Sequence, residues 1–176
     1  VSIKLQFVCE AALSSQIIAW FSSGHFSHVD AVLHNGYLLG ARNDWTGKGA
    51  AVVPPGVRIR PPGYRKFSRR VVMDVPATSV QTKNFYDYLM MQLGKPYDHR
   101  AILGFLFNRD WREDDSWICS ELQTAAGEYT GPELQVASMT AAGILPRLYL
   151  PANKITPVAC AVAFSAVGGK ATECTP

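Results

Sequence analysis

An Asn-Gly pair at positions 35 and 36 lies between two apolar runs, Val29 to Leu33 and Tyr37 to Ala41. Asn-Gly in that setting is the strongest short signal for a tight β-hairpin, because both central positions of the favoured turn need positive φ. It commits this part of the chain to an antiparallel sheet and puts His28 at the start of the first hairpin strand. Other segments extend the sheet. Ile3, Leu5 and Phe7 alternate with polar residues as in a half-buried strand. Ala50 to Val53, Val57 to Arg60 and Val71 to Val75 are further short strands, punctuated by Pro54-Pro55-Gly56 and Pro61-Pro62-Gly63. The late apolar run Val158 to Phe164 also reads as a strand.

Helical signals are fewer. Ser14-Ser15 caps a short helix carrying Ile17, Ile18, Trp20 and Phe21, closed by Gly24. Ser79 caps a second, with Phe85, Tyr88, Leu89 and Leu93 on one face and Gly94 in the usual C-terminal place. A third begins near Cys119, with Leu122, Ala125, Ala126 and Tyr129 at helical spacing. Strands early and helices late, joined by hairpins, predict an α+β domain with an antiparallel sheet. The 176 residues suit a single domain, 1–176, with a core over about 1–130 and a Pro-punctuated C-terminal extension over about 131–176.

Composition narrows the function classes. With 48% apolar and 18% charged residues the chain is of ordinary globular type. A net charge of +3 gives no reason to expect nucleic acid. Arg58, Arg60, Arg65, Lys66, Arg69 and Arg70 crowd one segment, which reads as a solvated sheet edge guarded against edge-to-edge pairing, with a surface for an anionic cell-wall polymer, nucleic acid or a partner as the alternative. No apolar run approaches the roughly 20 residues of a transmembrane helix, and residues 1–10 carry Lys4 and Glu10 where a signal peptide would be apolar. The expectation is a protein without signal peptide, cytoplasmic when made.

Four cysteines, Cys9, Cys119, Cys160 and Cys174, fit neither a zinc pattern nor a disulfide scaffold. Cys9 and Cys160 read as small core residues and Cys174 lies in a polar tail. Cys119 differs, because Ser116-Trp117-Ile118-Cys119-Ser120-Glu121-Leu122 sets its thiol at a helix start. Unpaired N–H groups and the helix dipole there favour a thiolate, the reactive form, and the same N–H groups can hold an oxyanion. A histidine partner completes the minimum nucleophile–base unit, and His28 is the histidine proposed. The spacings of His25, His28, His34, His99 and Cys119 match no common metal pattern, so no metal or cofactor is expected. The acids between Asp110 and Asp115 read as an exposed loop ahead of the Cys119 helix.

Three short motifs carry a family resemblance. Leu93-Gly94-Lys95-Pro96-Tyr97-Asp98, followed by Ile118-Cys119-Ser120-Glu121-Leu122, resembles the nucleophile region of NlpC-like papain-fold amidases. Ser27-His28-Val29 before a hairpin resembles their base-bearing strand. Base before nucleophile is the order of the circularly permuted branch, which includes YiiX-like proteins, and of the related lecithin retinol acyltransferase group. The resemblance spans about Phe26 to Tyr129. It implies a papain-like permuted domain, Cys119 as nucleophile, His28 as base, and Tyr97 beside the nucleophile helping to hold the oxyanion. By analogy the substrate is a peptide or cell-wall amide. A virion-associated phage protein, a degenerate phage-tail module and a lipid-directed acyl transferase are the other readings it admits. The chain departs from the pattern at the polar residue that orients the base: the position falls at about Gly40, which has no side chain. Asp30, Asn43 and Asp44 are its substitutes, and the sequence does not choose among them.

Overall fold

The first strand, β1 (Ser2–Cys9), buries Ile3, Leu5 and Phe7 on one face, and also Gln6 and Val8 on the other. A strand buried on both faces belongs in the middle of a sheet. In the computed structural model β1 indeed pairs on both sides, with β2 (His28–Val32) and with β5 (Arg69–Pro76). β3 (Leu38–Arg42), β4 (Gly56–Arg60) and β6 (Lys170–Cys174) complete a six-stranded sheet of order β4-β3-β2-β1-β5-β6, antiparallel at every pairing. The structure describes residues 1–10, 25–47, 52–98, 116–129 and 155–174. The expected helix after Ser14-Ser15, the Asp110–Asp115 loop, His99 and the segment 131–154 lie outside the described residues.

Three helices accompany the sheet among the described residues: α1 (Ser79–Met91), α2 (Cys119–Glu128) and α3 (Pro157–Ala166). Phe85 and Leu89 of α1, Leu122 and Ala126 of α2, and Cys160 and Phe164 of α3 join Ile3, Leu5, Phe7, Met73 and Val75 in one core. Phe85 meets Phe164 edge to face, with ring centroids 6.3 Å apart. Emptying that contact leaves a cavity between helices, so Phe85→Ala is expected to cost about 3–5 kcal/mol, measured by urea unfolding. Among the described residues no helix is long and apolar enough to cross a membrane.

The hairpin closes differently from the expected two-residue turn. Gly36 N–H donates to Leu33 O (2.8 Å) and Leu33 N–H to Tyr37 O (2.8 Å), which leaves a three-residue loop with Gly36 at φ +81°. Asn-Gly therefore fills the last two loop positions, and the positive φ is met by the glycine, as in a turn followed by a bulge.

Several other expectations are corrected. Val158 to Phe164 is not a strand but the body of α3. Thr156 Oγ1 accepts the N–H of Ala159 (3.1 Å), Pro157 occupies the first turn, and the buried positions Pro157, Cys160, Ala161 and Phe164 recur at helical spacing. A short apolar run is ambiguous by periodicity alone, and the Thr-Pro start is what decides it. Residues 155–174 are not an appendage, since α3 packs in the core and β6, containing Cys174, pairs with β5. The N-cap of α1 is Thr78 rather than Ser79, and Leu93 is 38% exposed rather than part of the buried face. Of Ala50 to Val53, the described part makes only an isolated bridge, Val53 to Thr46. The basic segment is not uniformly solvated. Arg60 is fully buried, donating to Thr46 Oγ1 (3.0 Å) and to the carbonyls of Gly40 (3.0 Å) and Gly56 (3.2 Å). A buried guanidinium is tolerated when its fork of donors is satisfied, as here.

Candidate functional site

β2 carries His28 and Asp30 two residues apart, so alternation puts both side chains on the same face. His28 Nε2 lies 2.8 Å from Asp30 Oδ1, and both side chains are buried. β2 pairs with β3 at Ala31 and Val32. Ahead of those pairs, the N–H of Val29 is hydrogen-bonded to Cys119. The Cys119 thiol is hydrogen-bonded both to that N–H and to the His28 side chain. With Nε2 committed to Asp30, Nδ1 is the ring nitrogen left for the thiol.

Gly40 explains how Asp30 fits. A Cβ on Gly40 would stand 1.9 Å from Asp30 Oδ1. One step beyond the Ala31–Leu39 pair, the neighbouring strand must carry no side chain if Asp30 is to lie against it. The empty position in the motif and the carboxylate on the base's own strand are two sides of one arrangement. Of the three substitutes, Asp30 alone meets the imidazole. Asn43 is exposed, and Asp44 holds Arg42 Nε (2.9 Å) and pairs with Arg65.

Cys119 is the first residue of α2. The N-cap, Ile118, has no side-chain oxygen to offer the first-turn N–H groups, and Glu121 instead accepts the Ile118 N–H at 3.5 Å. Uncapped N–H groups and the helix dipole leave this end attractive to negative charge. Ser120 Oγ donates to Ile155 O (2.5 Å) and Gln123 Nε2 to Leu39 O (3.0 Å), pinning α2 to the segment before α3 and to β3.

The Gly94 to Asp98 stretch brings Tyr97 to the same place. Val57 N–H donates to Lys95 O (2.9 Å) and Gly94 N–H to Val57 O (3.0 Å), while Trp117 N–H donates to Pro96 O (3.1 Å) and Asp98 N–H to Trp117 O (3.1 Å). The stretch is thereby strapped to β4 on one side and to the approach to α2 on the other. Gly56 permits it, because a Cβ there would lie 2.5 Å from Lys95 O. Tyr97 is buried close enough to Cys119 that the thiolate's charge, after burial itself, holds the phenol well above its ordinary value. It stays an O–H donor across the ordinary pH range. All three site residues expected from sequence, Cys119, His28 and Tyr97, are brought together.

The electrostatics favour a charged pair. Burial works against the imidazolium of His28, but the facing Asp30 carboxylate and the Cys119 thiolate outweigh it and raise its pKa to about 9. Burial likewise pushes the Cys119 thiol up, and the His28 charge, its hydrogen bond and the Val29 N–H bring it below the ordinary thiol range. Asp30 is held below the ordinary carboxylate range despite burial, first by His28.

Stability follows with opposite signs. Because His28 is raised, the interactions of its imidazolium are fully present below about 6.5 and lost as pH rises through about 9. Because Asp30 is lowered, its contribution is present above 3.8 and lost as pH falls through its folded value. The thiolate of Cys119 has the linkage sign of Asp30 and masks that of His28. In a Cys119→Ala background the mask is gone. There the thermal midpoint is expected to fall as pH rises from 7 to 10, relative to Cys119→Ala/His28→Asn.

Behind Asp30 lies a network that sequence reasoning missed. Tyr64 donates to Asp30 Oδ2 (2.8 Å), and Arg42 donates to the Tyr64 oxygen (3.0 Å) and to Glu10 (2.5 Å). The Tyr64 ring lies under the guanidinium groups of Arg42 (5.3 Å) and Arg60 (5.9 Å). These residues come from the end of β1, the end of β3, β4 and the β4–β5 connection, and no local pattern links them.

No protein-family model and no curated protein sequence matches the chain. Among solved structures it is similar to the metalloprotein yiiX from Escherichia coli O157:H7, DUF1105, with a TM-score of 0.51 and 19% identity over 99% of this chain and 96% of that one. At that identity the likeness shows the fold: a mixed α+β arrangement on an antiparallel sheet. The neighbour is described as a metalloprotein. In this chain, among the described residues, no group of three or more His, Cys, Asp and Glu side chains is placed to hold a metal ion, and Cys119, His28 and Asp30 are turned to one another in a chain.

Proposed function

We propose that the protein is a cysteine-dependent amidase or endopeptidase of the permuted, NlpC-like papain type, acting on a peptide or cell-wall amide. The observation that carries this reading is the Cys119 thiol, at a helix N-terminus, hydrogen-bonded to a buried histidine whose other nitrogen meets a carboxylate. In the proposed reaction the Cys119 thiolate attacks the amide carbonyl carbon and forms a C–S bond. The oxyanion develops against the first-turn N–H groups of α2 and the Tyr97 O–H. His28, already protonated at neutral pH, gives its proton to the leaving amine as the C–N bond breaks. Water then attacks the thioester while neutral His28 takes its proton, and the C–S bond breaks, releasing the acid and returning Cys119 as the thiolate beside the His28 imidazolium. Asp30 keeps the imidazole oriented throughout.

The degenerate-module reading drew its support from the missing side chain at Gly40 and from the expected lack of a signal peptide, and the first of these is the one the site bears on. Asp30 answers the Gly40 argument alone, by placing a carboxylate on the imidazole from β2, next to Gly40 on β3. The test is hydrolysis of cell-wall peptide fragments and of simple peptide amides, followed by mass spectrometry. The proposal expects cleavage by the wild type, a trapped acyl-enzyme at Cys119 with an activated ester, and neither with Cys119→Ala. Equal product from wild type and Cys119→Ala, or ester turnover with no amide cleavage, would overturn it, the second in favour of a lipid-directed acyl transferase.

A further inference from the structure

Asp30 offers two oxygens, and only Oδ1 faces His28. A carboxylate that turns freely about its last bond would hold the imidazole poorly, so what holds Oδ2 matters to the site. The group that holds it is the Tyr64 O–H, at 2.8 Å. That hydroxyl is itself fixed, because its oxygen accepts from Arg42 at 3.0 Å and so its single proton is left to point at Asp30. Arg42 is anchored in turn by Glu10 and Asp44. Tyr64 therefore joins the Cys119–His28–Asp30 row to a buried ion-pair cluster.

We propose that Tyr64 is a positioning residue for the base: it holds the Asp30 carboxylate ionised and aimed so that Oδ1 stays on His28 Nε2. This rests on the proposed role of His28 for its functional meaning, but not for its geometry. The charged and titratable groups that face Asp30 are His28 on its own strand, Arg42 from β3, Arg60 from β4, Tyr64 from the β4–β5 connection and Cys119 from α2. His28, Arg42 and Arg60 are cations and favour its charge, and Cys119 as thiolate opposes it. Gln6, opposite Asp30 in the β1 register, is uncharged. Tyr64 is the one uncharged hydrogen-bond donor to the Asp30 carboxylate among the side-chain bonds just described, and it acts by direction rather than by net charge.

The variant is Tyr64→Phe. It keeps the ring, which packs edge to face on Phe67 (5.7 Å) and lies beneath Arg42 and Arg60, and removes only the hydroxyl. Two readouts separate positioning from packing. One is the titration of the Asp30 carboxyl carbon by NMR. The other is solvent exchange of the His28 Nε2 proton shared with Asp30. The proposal expects the Asp30 midpoint to move upward and the proton to exchange about tenfold faster, the size of one hydrogen bond to a charged group. Unchanged values for both in a folded Tyr64→Phe chain would overturn it. Should that variant fail to fold, 3-fluorotyrosine at position 64 strengthens the donor without removing it. The Asp30 midpoint then moves downward if the proposal holds and stays put if it does not. Alkylation of wild-type Cys119, measured alongside, reports on the hydrolase reading separately. A slow Cys119 with a shifted Asp30 would sink the enzyme reading and leave the Tyr64 assignment standing.

Discussion

Replacing His28 by alanine is expected to slow alkylation of Cys119 at pH 6 by about tenfold, and to remove any turnover that depends on it. The magnitude follows from two opposing effects. Without the imidazolium, a thiol of ordinary pKa near 8.5 is only about 0.3% thiolate at pH 6, and a buried thiol less so, because burial alone pushes Cys119 up. Against that loss, thiolates grow more nucleophilic as their pKa rises, with a Brønsted slope of about 0.4–0.5, which returns roughly an order of magnitude. Turnover has no such compensation. The proton that His28 delivers to the leaving amine is worth about 10²- to 10⁴-fold in comparable general acid–base steps. Alkylation by iodoacetamide followed by peptide mapping measures the first effect at Cys119 apart from Cys9, Cys160 and Cys174. Cys160 serves as an internal control, since burial holds its thiol up at about 12. An unchanged Cys119 rate in a folded His28→Ala chain would mean that the helix terminus and the Val29 N–H alone make the thiolate.

The second large effect is expected at a residue with no side chain. Gly40→Ala puts a methyl group 1.9 Å from Asp30 Oδ1, a distance no packing can accommodate. Either β3 withdraws from β2 or Asp30 leaves His28. The expected cost is about 1–3 kcal/mol of stability, as for other overpacked sites, together with a fall of the His28 pKa from about 9, since Asp30 is the first group that raises it against burial. The pair with Asp30→Ala tells a steric clash from a backbone effect. Asp30→Ala/Gly40→Ala is expected to be more stable than the sum of the two single changes predicts, while Cys119 stays slow. Strict additivity in denaturant melts would show that Gly40 is needed for its backbone and not for the room it leaves. The exchange Asp30→Gly/Gly40→Asp moves the carboxylate to the strand where the resembling amidases keep their polar residue, and is expected to restore part of the lost reactivity.

Residues with a local signature were legible in the sequence, and those without one were not. Asn35-Gly36 announced β2 and β3 and so placed His28, although the turn took the three-residue form. Ile118-Cys119-Ser120 announced a thiol at a helix start, and Gly94 announced a helix end, because each depends on neighbours a few residues away; that Gly94 to Asp98 is strapped to Val57 and Trp117 had no such local sign. The α3 run could be read either way: alanine, valine and cysteine alternate too weakly to set a period, and only the Thr156-Pro157 cap separates helix from strand. The hydrogen bonds of Tyr64, Arg42, Glu10 and Asp30 span 22 to 34 positions. Such a cluster exists only once β1, β3 and the β4–β5 connection have come together. Asp30 is the instructive middle case. Its two-residue spacing from His28 was visible, but its claim over Asn43 and Asp44 rested on a gap in the next strand.

At the centre of the site, His28 is an imidazolium between a thiolate and a carboxylate. Nitrogen NMR of the His28 ring from pH 5 to pH 10 measures this directly. Both ring nitrogens are predicted to stay protonated through neutral pH, with a midpoint near 9. A neutral ring at pH 7, bearing a proton on one nitrogen only and titrating at or below 6.5, would contradict it.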